Sequence, residues 1–320
     1  MCCVFKMKRF TINANDAGQR VDKFITKACP NMPLSMLYKA VRKKDVKLNR
    51  RRCDISARLC EGDVLEIYLP DDVLAKDSKD ISRVSGDIRV VYEDENIILA
   101  DKPVGLAVHE NESSTADTLA NRVKAYLIQK GEYDPERENS FAPALCNRLD
   151  RNTCGIVIAA KNAEALRIMN EKIRSRQVHK QYLCIVLGTP EPREAVLHHY
   201  LFKNSKTNTV TVQEKKTREN REIITGYKVL KTNGELSLAE IDLMTGRTHQ
   251  IRAHMAYIGH PLLGDGKYGD NRINRSYGIK TQALCAYKLR FDFTGEKTAL
   301  DYLNGREFTV DNVWFEDKFL

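Results

Sequence analysis

The sequence predicts an α+β protein built from two unequal modules, and three observations carry that prediction. The first is the placement of charge. The 320 residues carry a formal net charge of +9, yet residues 1–70 hold 15 basic and 7 acidic side chains while the remaining 250 hold 37 and 36. The second is the mixture of periodicities: short runs of β-formers, as in 155–160 and 236–243, stand among segments with helical spacing, as in 116–130 and 163–173. The third is a polar, mixed-charge stretch poor in aromatics at 71–86, which reads as a linker. The expected organisation is a basic module at 12–70, a linker at 71–86 and a body at 87–320, with the two modules free to move relative to each other.

In the front module, Val21, Phe24, Ile25 and Ala28 recur at helical spacing, and so do Leu34, Leu37, Tyr38 and Val41. Pro33 and Ser35 suit the start of the second helix. Val46 and Leu48, then Val64, Leu65, Ile67 and Leu69, mark short strands, with Gly62-Asp63 as a turn. Two short helices and a small sheet result. From Lys39 to Arg52, eight of fourteen residues are basic: Lys39, Arg42, Lys43, Lys44, Lys47, Arg50, Arg51 and Arg52. A charge run is commonly just a solvated face, but only Asp45 interrupts this one, so a phosphate backbone is a natural partner.

The body begins with strands at 89–92 and 96–100 that lead into Asp101-Lys102-Pro103-Val104-Gly105-Leu106-Ala107-Val108-His109, where Pro and Gly bend the chain. An amphipathic helix follows at 116–130, then a charged, turn-rich stretch at 131–140 that reads as a mobile loop. Next comes Ala144-Leu145-Cys146-Asn147-Arg148-Leu149-Asp150-Arg151-Asn152-Thr153-Cys154-Gly155, which sets Asp150 between two arginines just before a buried strand. Asp150 is expected in a loop entering a sheet, ionised and held by positive charge. Standing alone, an Arg-x-Asp-Arg would read as a surface salt bridge. After a helix at 163–173 comes the strand Lys180-Gln181-Tyr182-Leu183-Cys184-Ile185-Val186-Leu187-Gly188, in which Tyr182 by itself would be a packed aromatic. Residues 236–243 form another strand, leading by a turn into a helix within Thr245-Gly246-Arg247-Thr248-His249-Gln250-Ile251-Arg252-Ala253-His254-Met255. Gly259-His260-Pro261-Leu262-Leu263-Gly264-Asp265 and Tyr268-Gly269 follow.

These four blocks, in this order, closely resemble the signatures of the RluA family of RNA pseudouridine synthases. The resemblance implies a long mixed, mostly antiparallel sheet crossed by a central cleft. It also implies roles. Asp150 would be the nucleophile, Tyr182 would stack on the target base, and Arg252 would face the catalytic carboxylate. The front module is similar to the small RNA-binding domain named after ribosomal protein S-four, departing from it at Ser35-Met36 and Asn49-Arg50. With Tyr268-Gly269-Asp270, that front end most resembles the branch acting on large-subunit (23S) ribosomal RNA. Asn147 stands where the family has His, Glu110 where it has Pro, and Cys154 where it has Ser.

The implied chemistry suits these residue types. Uridine isomerisation breaks the bond from the uracil nitrogen to the anomeric carbon and rejoins the base through a ring carbon. It needs an ionised nucleophile held beside the nucleoside in a dry pocket. Burial disfavours a charged carboxylate, and a guanidinium such as Arg252 offsets this while fixing its geometry. A stacked uridine must first leave its stack at a cost of a few kcal/mol. Arg148, just before Asp150, is placed to fill the vacated space. Leu262 or Leu263 would form the pocket floor, unless both are simply core.

No hydride, phosphate or metal takes part, and no cofactor is expected. His249 and His254 are five apart, wrong for two metal ligands on one helical face, and the nine cysteines show no zinc-ligand spacing. Cys154 as a nucleophile is disfavoured because no His adjoins it and the following strand implies burial. Reduced thiols and the lack of an apolar run near ~18 residues predict a soluble, cytoplasmic protein without a membrane partner. The expected partner is RNA, 23S ribosomal RNA or an assembling large subunit, with the protein a monomer. The competing readings are a non-catalytic RNA-binding or ribosome-assembly factor, and the same chemistry on transfer RNA. Retention of Asp150, Tyr182 and Arg252 together argues against the first.

Overall fold

The structure, a computed structural model, describes residues 5–70, 84–110, 116–204 and 206–316. Most of the expected linker, residues 71–83, lies outside these described residues.

The front module runs β1 (Phe5–Thr11), α1 (Val21–Ala28), α2 (Leu34–Lys43), β2 (Val46–Leu48), β3 (Arg51–Arg52) and β4 (Val64–Pro70). Its sheet is antiparallel in the order β1-β4-β2-β3. Phe10, Val21, Phe24, Ile25, Leu37, Leu65 and Ile67 fill a core of its own. α1 buries the predicted face. α2 does not: Leu37 and Ala40 are buried, whereas Leu34 and Tyr38 are 57% and 50% exposed. β1 lies outside the expected 12–70 module yet pairs along the whole of β4. Its Lys8-Arg9 pair obscures the alternation that would mark a strand.

The body runs β5 (Arg89–Glu93), β6 (Ile97–Lys102), α3 (Leu119–Gln129), β7 (Ala144–Leu145), β8 (Cys154–Ala160) and α4 (Ala163–Arg174). It continues with β9 (Val178–Leu187), β10 (Glu194–Asn204), β11 (Thr209–Gln213), β12 (Arg221–Thr232) and β13 (Leu236–Leu243). Last come α5 (Gln250–Tyr257), α6 (Asn271–Ser276), β14 (Leu284–Phe291) and β15 (Glu307–Thr309). The sheet has 11 strands, ordered β11-β10-β12-β13-β9-β14-β8-β6-β5, with β15 beside β14 and β7 beside β8. Among the described strand pairings only β14 with β8 is parallel. This is the long, mostly antiparallel sheet of the expected α+β fold. β8 is buried at every position because side chains pack on both of its faces. Leu183, Ile185 and Phe291 belong to one layer; Tyr182, Cys184 and Val186 belong to the other.

α3 is shorter than the predicted 116–130 helix. Thr118 is extended, bridging to Ala107, and its hydroxyl accepts from the Asn121 amide to cap the helix at Leu119. The stretch at 131–140, expected to be mobile, is the docking surface for the front module. The fully buried Asp16 accepts from Asn139 Nδ2 at 2.7 Å and Ser140 Oγ at 2.6 Å. Asn15 donates to Glu138 at 2.8 Å and accepts from the Ala163 amide at 3.0 Å, capping the approach to α4. Gln19 donates to Ser140 at 3.0 Å. These bonds tether the two modules, against the expectation of independent movement, and the tether ends a few residues before the Asp150 segment.

Candidate active site

Asp150 sits in the loop between β7 and β8, where two turns are buckled together. The Thr153 amide donates to Asp150 O at 3.1 Å, and the Gly105 amide donates to Arg151 O at 3.0 Å. Arg151 Nε returns a bond to Gly105 O at 2.9 Å. Gly105 has φ +87, a left-handed value that favours glycine in this turn. Beneath lies Lys102, fully buried, whose ammonium donates to the carbonyls of Pro103, Leu106 and Arg151 at 2.8, 2.9 and 2.9 Å. Burial pulls Lys102 down to about 8, against the opposing pull of Cys154, Asp150 and Asp101. Asn147, at the family's His position, acts locally. Its Oδ1 accepts from the Ile158 amide at 2.8 Å and closes the loop onto β8.

Lys102→Met is expected to strip the carbonyls of Pro103 and Leu106 of this donor, at about 1–3 kcal/mol for each unsatisfied group. Thermal or urea unfolding checks that loss. In the wild type, deprotonation above about pH 8 removes one of three N–H donors. Turnover should therefore fall as pH rises through that value. A Met variant that kept the same alkaline limb would show that another group causes it.

The facing wall comes from the turn between β13 and α5. His249, with φ 52, breaks the backbone direction so that α5 starts immediately after it. Gln250 pins the turn: its Oε1 accepts from Thr245 Oγ1 and the Arg247 amide, and its Nε2 donates to Ile224 O and Thr225 Oγ1. Close by on α5, Arg252 reaches two carboxylates. Its Nη1 donates to Asp150 Oδ2 at 3.0 Å. Its Nε and Nη2 grip Asp265 at 2.7 and 2.8 Å. Asp265 is fully buried and also accepts from the Lys267 and Tyr268 amides. Burial opposes its ionisation, but Arg252 and these amides outweigh that and hold the carboxyl below the usual range. Burial likewise opposes the Arg252 charge, and the two carboxylates more than restore it. The arginine that holds Asp150 is thus Arg252, not its neighbours in sequence.

Both walls enclose a cleft of about 310 Å³ lined by Arg148, Asp150, Tyr182, His249, Arg252 and Leu284, among others. Tyr182 projects from β9 and is 5% exposed; burial, then the charge of Asp150, pushes its phenol up, so it stays protonated. Arg148 is exposed at the rim. The structure therefore unites Asp150, Tyr182, Arg252 and Arg148. Lys39, Arg42, Lys43, Lys44, Lys47, Arg50, Arg51 and Arg52 lie on the front module, outside the cleft lining. Leu262 and Leu263 are fully buried core, not a pocket floor.

Sequence reasoning missed four participants. Asp265 orients Arg252, and Lys102 ties down the Asp150 loop. His249 stands 3.9 Å from Asp150 Oδ2 and shares a 2.8 Å hydrogen bond with Tyr268. Tyr268 in turn accepts from the Val210 amide and lies against the Arg252 guanidinium, 5.3 Å from ring centroid to Cζ. Each falls in a block already recognised by resemblance, and a buried polar residue beside a glycine turn was the available signal.

Comparison with known proteins places this geometry. The family model for RNA pseudouridylate synthase matches residues 96–257, half of the chain and all of Asp150, Tyr182 and Arg252. An RNA pseudouridine synthase of Mycoplasma capricolum is 31% identical over 96% of this chain and 99% of its own. The chain belongs to the RNA pseudouridine synthase family. Within it, the relatives include ribosomal large subunit pseudouridine synthase C of Vibrio cholerae, 31% identical over 88% of this chain and 87% of that one. The Haemophilus influenzae protein of the same name is 32% identical, covering 89% and 87%. The structure of human RNA pseudouridylate synthase domain containing 4 shares the fold, with a TM-score of 0.55 at 22% identity over 71% of this chain and 89% of that one. The protein is an RNA pseudouridine synthase of the RluA type, an isomerase, and the reading as a non-catalytic binding factor falls.

Proposed function

We propose that this synthase isomerises uridines in large-subunit ribosomal RNA, with Asp150 as the nucleophile. The observation that carries the mechanism is the Asp150–Arg252–Asp265 chain at the cleft wall. Arg252 is anchored from behind by a buried carboxylate, so its remaining N–H presents a fixed charge to Asp150 without rearrangement. Asp150 is then oriented where a ribose can reach it. The Asp150 carboxylate bonds the anomeric carbon as the bond from that carbon to the uracil nitrogen breaks and its electron pair goes to the uracil ring; the Asp150 bond breaks in turn, its pair returning to the carboxylate, when the base rejoins. The base turns, a ring carbon bonds the anomeric carbon, and that ring carbon's proton is released as the nitrogen gains one. Tyr182 stacks on the flipped base throughout, and Arg148 fills the space it leaves.

The choice of RNA rests on the names of the relatives and on the front module. Its exposed basic residues on α2 and the β2–β3 hairpin, in an S-four-like arrangement of two helices against a small sheet, suit a phosphate backbone. The docking bonds of Asp16 and Asn15 would hold that RNA in a set relation to the cleft.

The test is to incubate unmodified large-subunit ribosomal RNA with the wild type and with Asp150→Ala, then quantify pseudouridine by nucleoside mass spectrometry. Pseudouridine from the wild type alone is the expected result. Modification of transfer RNA with none in ribosomal RNA would overturn the substrate assignment. Tyr182 makes a separate prediction. Base stacking is worth about 1–3 kcal/mol, roughly tenfold to hundredfold in kcat/KM. Tyr182→Ala should lose that factor and Tyr182→Phe much less; the reverse ranking would show that the hydroxyl, not the ring, is what the reaction needs.

A further inference from the structure

Alternation along a strand sends neighbouring side chains to opposite faces of a sheet. Thr153 and Leu284 line the catalytic cleft, so Cys154 and Cys285 point the other way. They face a second cavity of about 360 Å³, which Asp101 and Lys102 also line. β8 and β14 are the parallel pair, and their register sets Cys154 directly opposite Cys285. Both side chains line this one cavity from adjacent strands, and the Cys154 S–H donates to Leu284 O at 3.6 Å. Just beyond, Gly155 has φ +107, and a Cβ there would stand 2.2 Å from Ala286 O, so the strands close tightly at this point. Neighbouring strands lie about 4.8 Å apart, inside the roughly 4.4–6.8 Å between Cα atoms that a disulfide spans. Neither thiol has a part in uridine isomerisation.

We propose that Cys154 and Cys285 form a modification site, a dithiol that a hydroperoxide entering this rear cavity oxidises to an intramolecular disulfide. Cys154 reacts first. The neighbouring Cys285 thiol, opposed by burial and the Asp101 charge and aided by the Lys102 ammonium, draws the Cys154 thiol below the ordinary value, while the Cys154 thiol and burial push Cys285 up. The Cys154 sulfur attacks the peroxide, the O–O bond breaks, and the alcohol or water formed carries away the remaining oxygen. Cys154 is left as a sulfenic acid. The Cys285 sulfur then displaces water from it, forming the S–S bond. The two thiols are oxidised by two electrons and one peroxide is reduced. The site touches the catalytic machinery from behind, since Cys154 directly follows the turn in which Thr153 bonds Asp150 and adjoins the Lys102 ammonium.

The experiment treats the reduced, full-length protein with stoichiometric hydrogen peroxide, blocks remaining thiols with N-ethylmaleimide and maps peptides by mass spectrometry. A linked peptide pair holding Cys154 and Cys285, cleaved by dithiothreitol, is expected. In Cys285→Ser, Cys154 should instead be trapped by dimedone as the sulfenic acid. Exposed Cys60 is the internal reference. Recovery of Cys154 and Cys285 as free thiols once Cys60 is oxidised, or pairing of Cys154 with another cysteine, would overturn the proposal. None of these readouts depends on pseudouridine formation. Turnover of the oxidised protein should fall several-fold and recover with dithiothreitol, and an unchanged rate would overturn the coupling to the Asp150 turn.

Discussion

Asp150→Asn is expected to abolish pseudouridine formation, by at least about 10⁴-fold in turnover, while leaving the fold and RNA affinity in place. The substitution keeps the shape of the side chain. Its amide oxygen still accepts from Arg252 Nη1, so the 3.0 Å contact across the cleft survives. What disappears is the negative charge that makes a carboxylate oxygen nucleophilic. Arg252, the buried partner, keeps its pair with Asp265 at 2.7 Å, so no buried charge is orphaned by the change. Stability should therefore shift by no more than roughly 0.5 kcal/mol. The measurement is single-turnover pseudouridine release at saturating enzyme, beside filter binding of the same RNA. Wild-type turnover in this variant would remove Asp150 as the nucleophile; lost binding would instead make it a recognition group.

The legible part of this site was the part that sequence keeps local. Asp150 with its turn, Tyr182 on a strand of β-formers, and Arg252 near the start of a helix each announce themselves within about ten residues. The contact that unites Asp150 with Arg252 joins positions 102 apart, and nothing in either segment states it. It was reached through resemblance. The Asp265 grip on Arg252 was not reached at all, because a buried ion pair has no periodicity. The same distinction runs through the fold. Strands buried on both faces, such as β8, read plainly as continuous apolar runs. β10 is half-exposed, with Leu201 its one buried residue, and its His198-His199 step hides the alternation. The docking of Asp16 and Asn15 on 138–140 is wholly polar, so those segments read as loops. In α2 the helical spacing was real, but only Leu37 and Ala40 turn inward, and Leu34 and Tyr38 stay exposed.

Arg252→Met gives the second large effect, and its pH dependence identifies the cause. Removing the guanidinium leaves Asp265 fully buried, with only the Lys267 and Tyr268 amides against its charge. Breaking one side of a buried pair costs about 3–5 kcal/mol. Losing the fixed charge beside Asp150 should cost about 10²–10³ in turnover. In the wild type the Asp265 carboxyl is held low, so its contribution to stability is present above the ordinary carboxylate value and is lost as pH falls through the folded one. In the variant, burial dominates and raises it. The folded state then binds the proton more tightly than the unfolded state, so stability declines as pH rises through that raised value. Urea unfolding across pH 4–8 should thus show stability declining with rising pH in the variant, a decline the wild type lacks because its Asp265 contribution is already complete above the ordinary carboxylate value. Arg252→Lys should recover part of the stability but little turnover, since an ammonium is a single point charge that does not span two carboxylates as the planar fork does. Adding Asp265→Asn to Arg252→Met removes the orphaned charge. That double variant should regain much of the lost stability and flatten the slope while staying slow. Stability and turnover recovering together would mean that Arg252 acts only by holding the fold, with no electrostatic part in keeping Asp150 reactive.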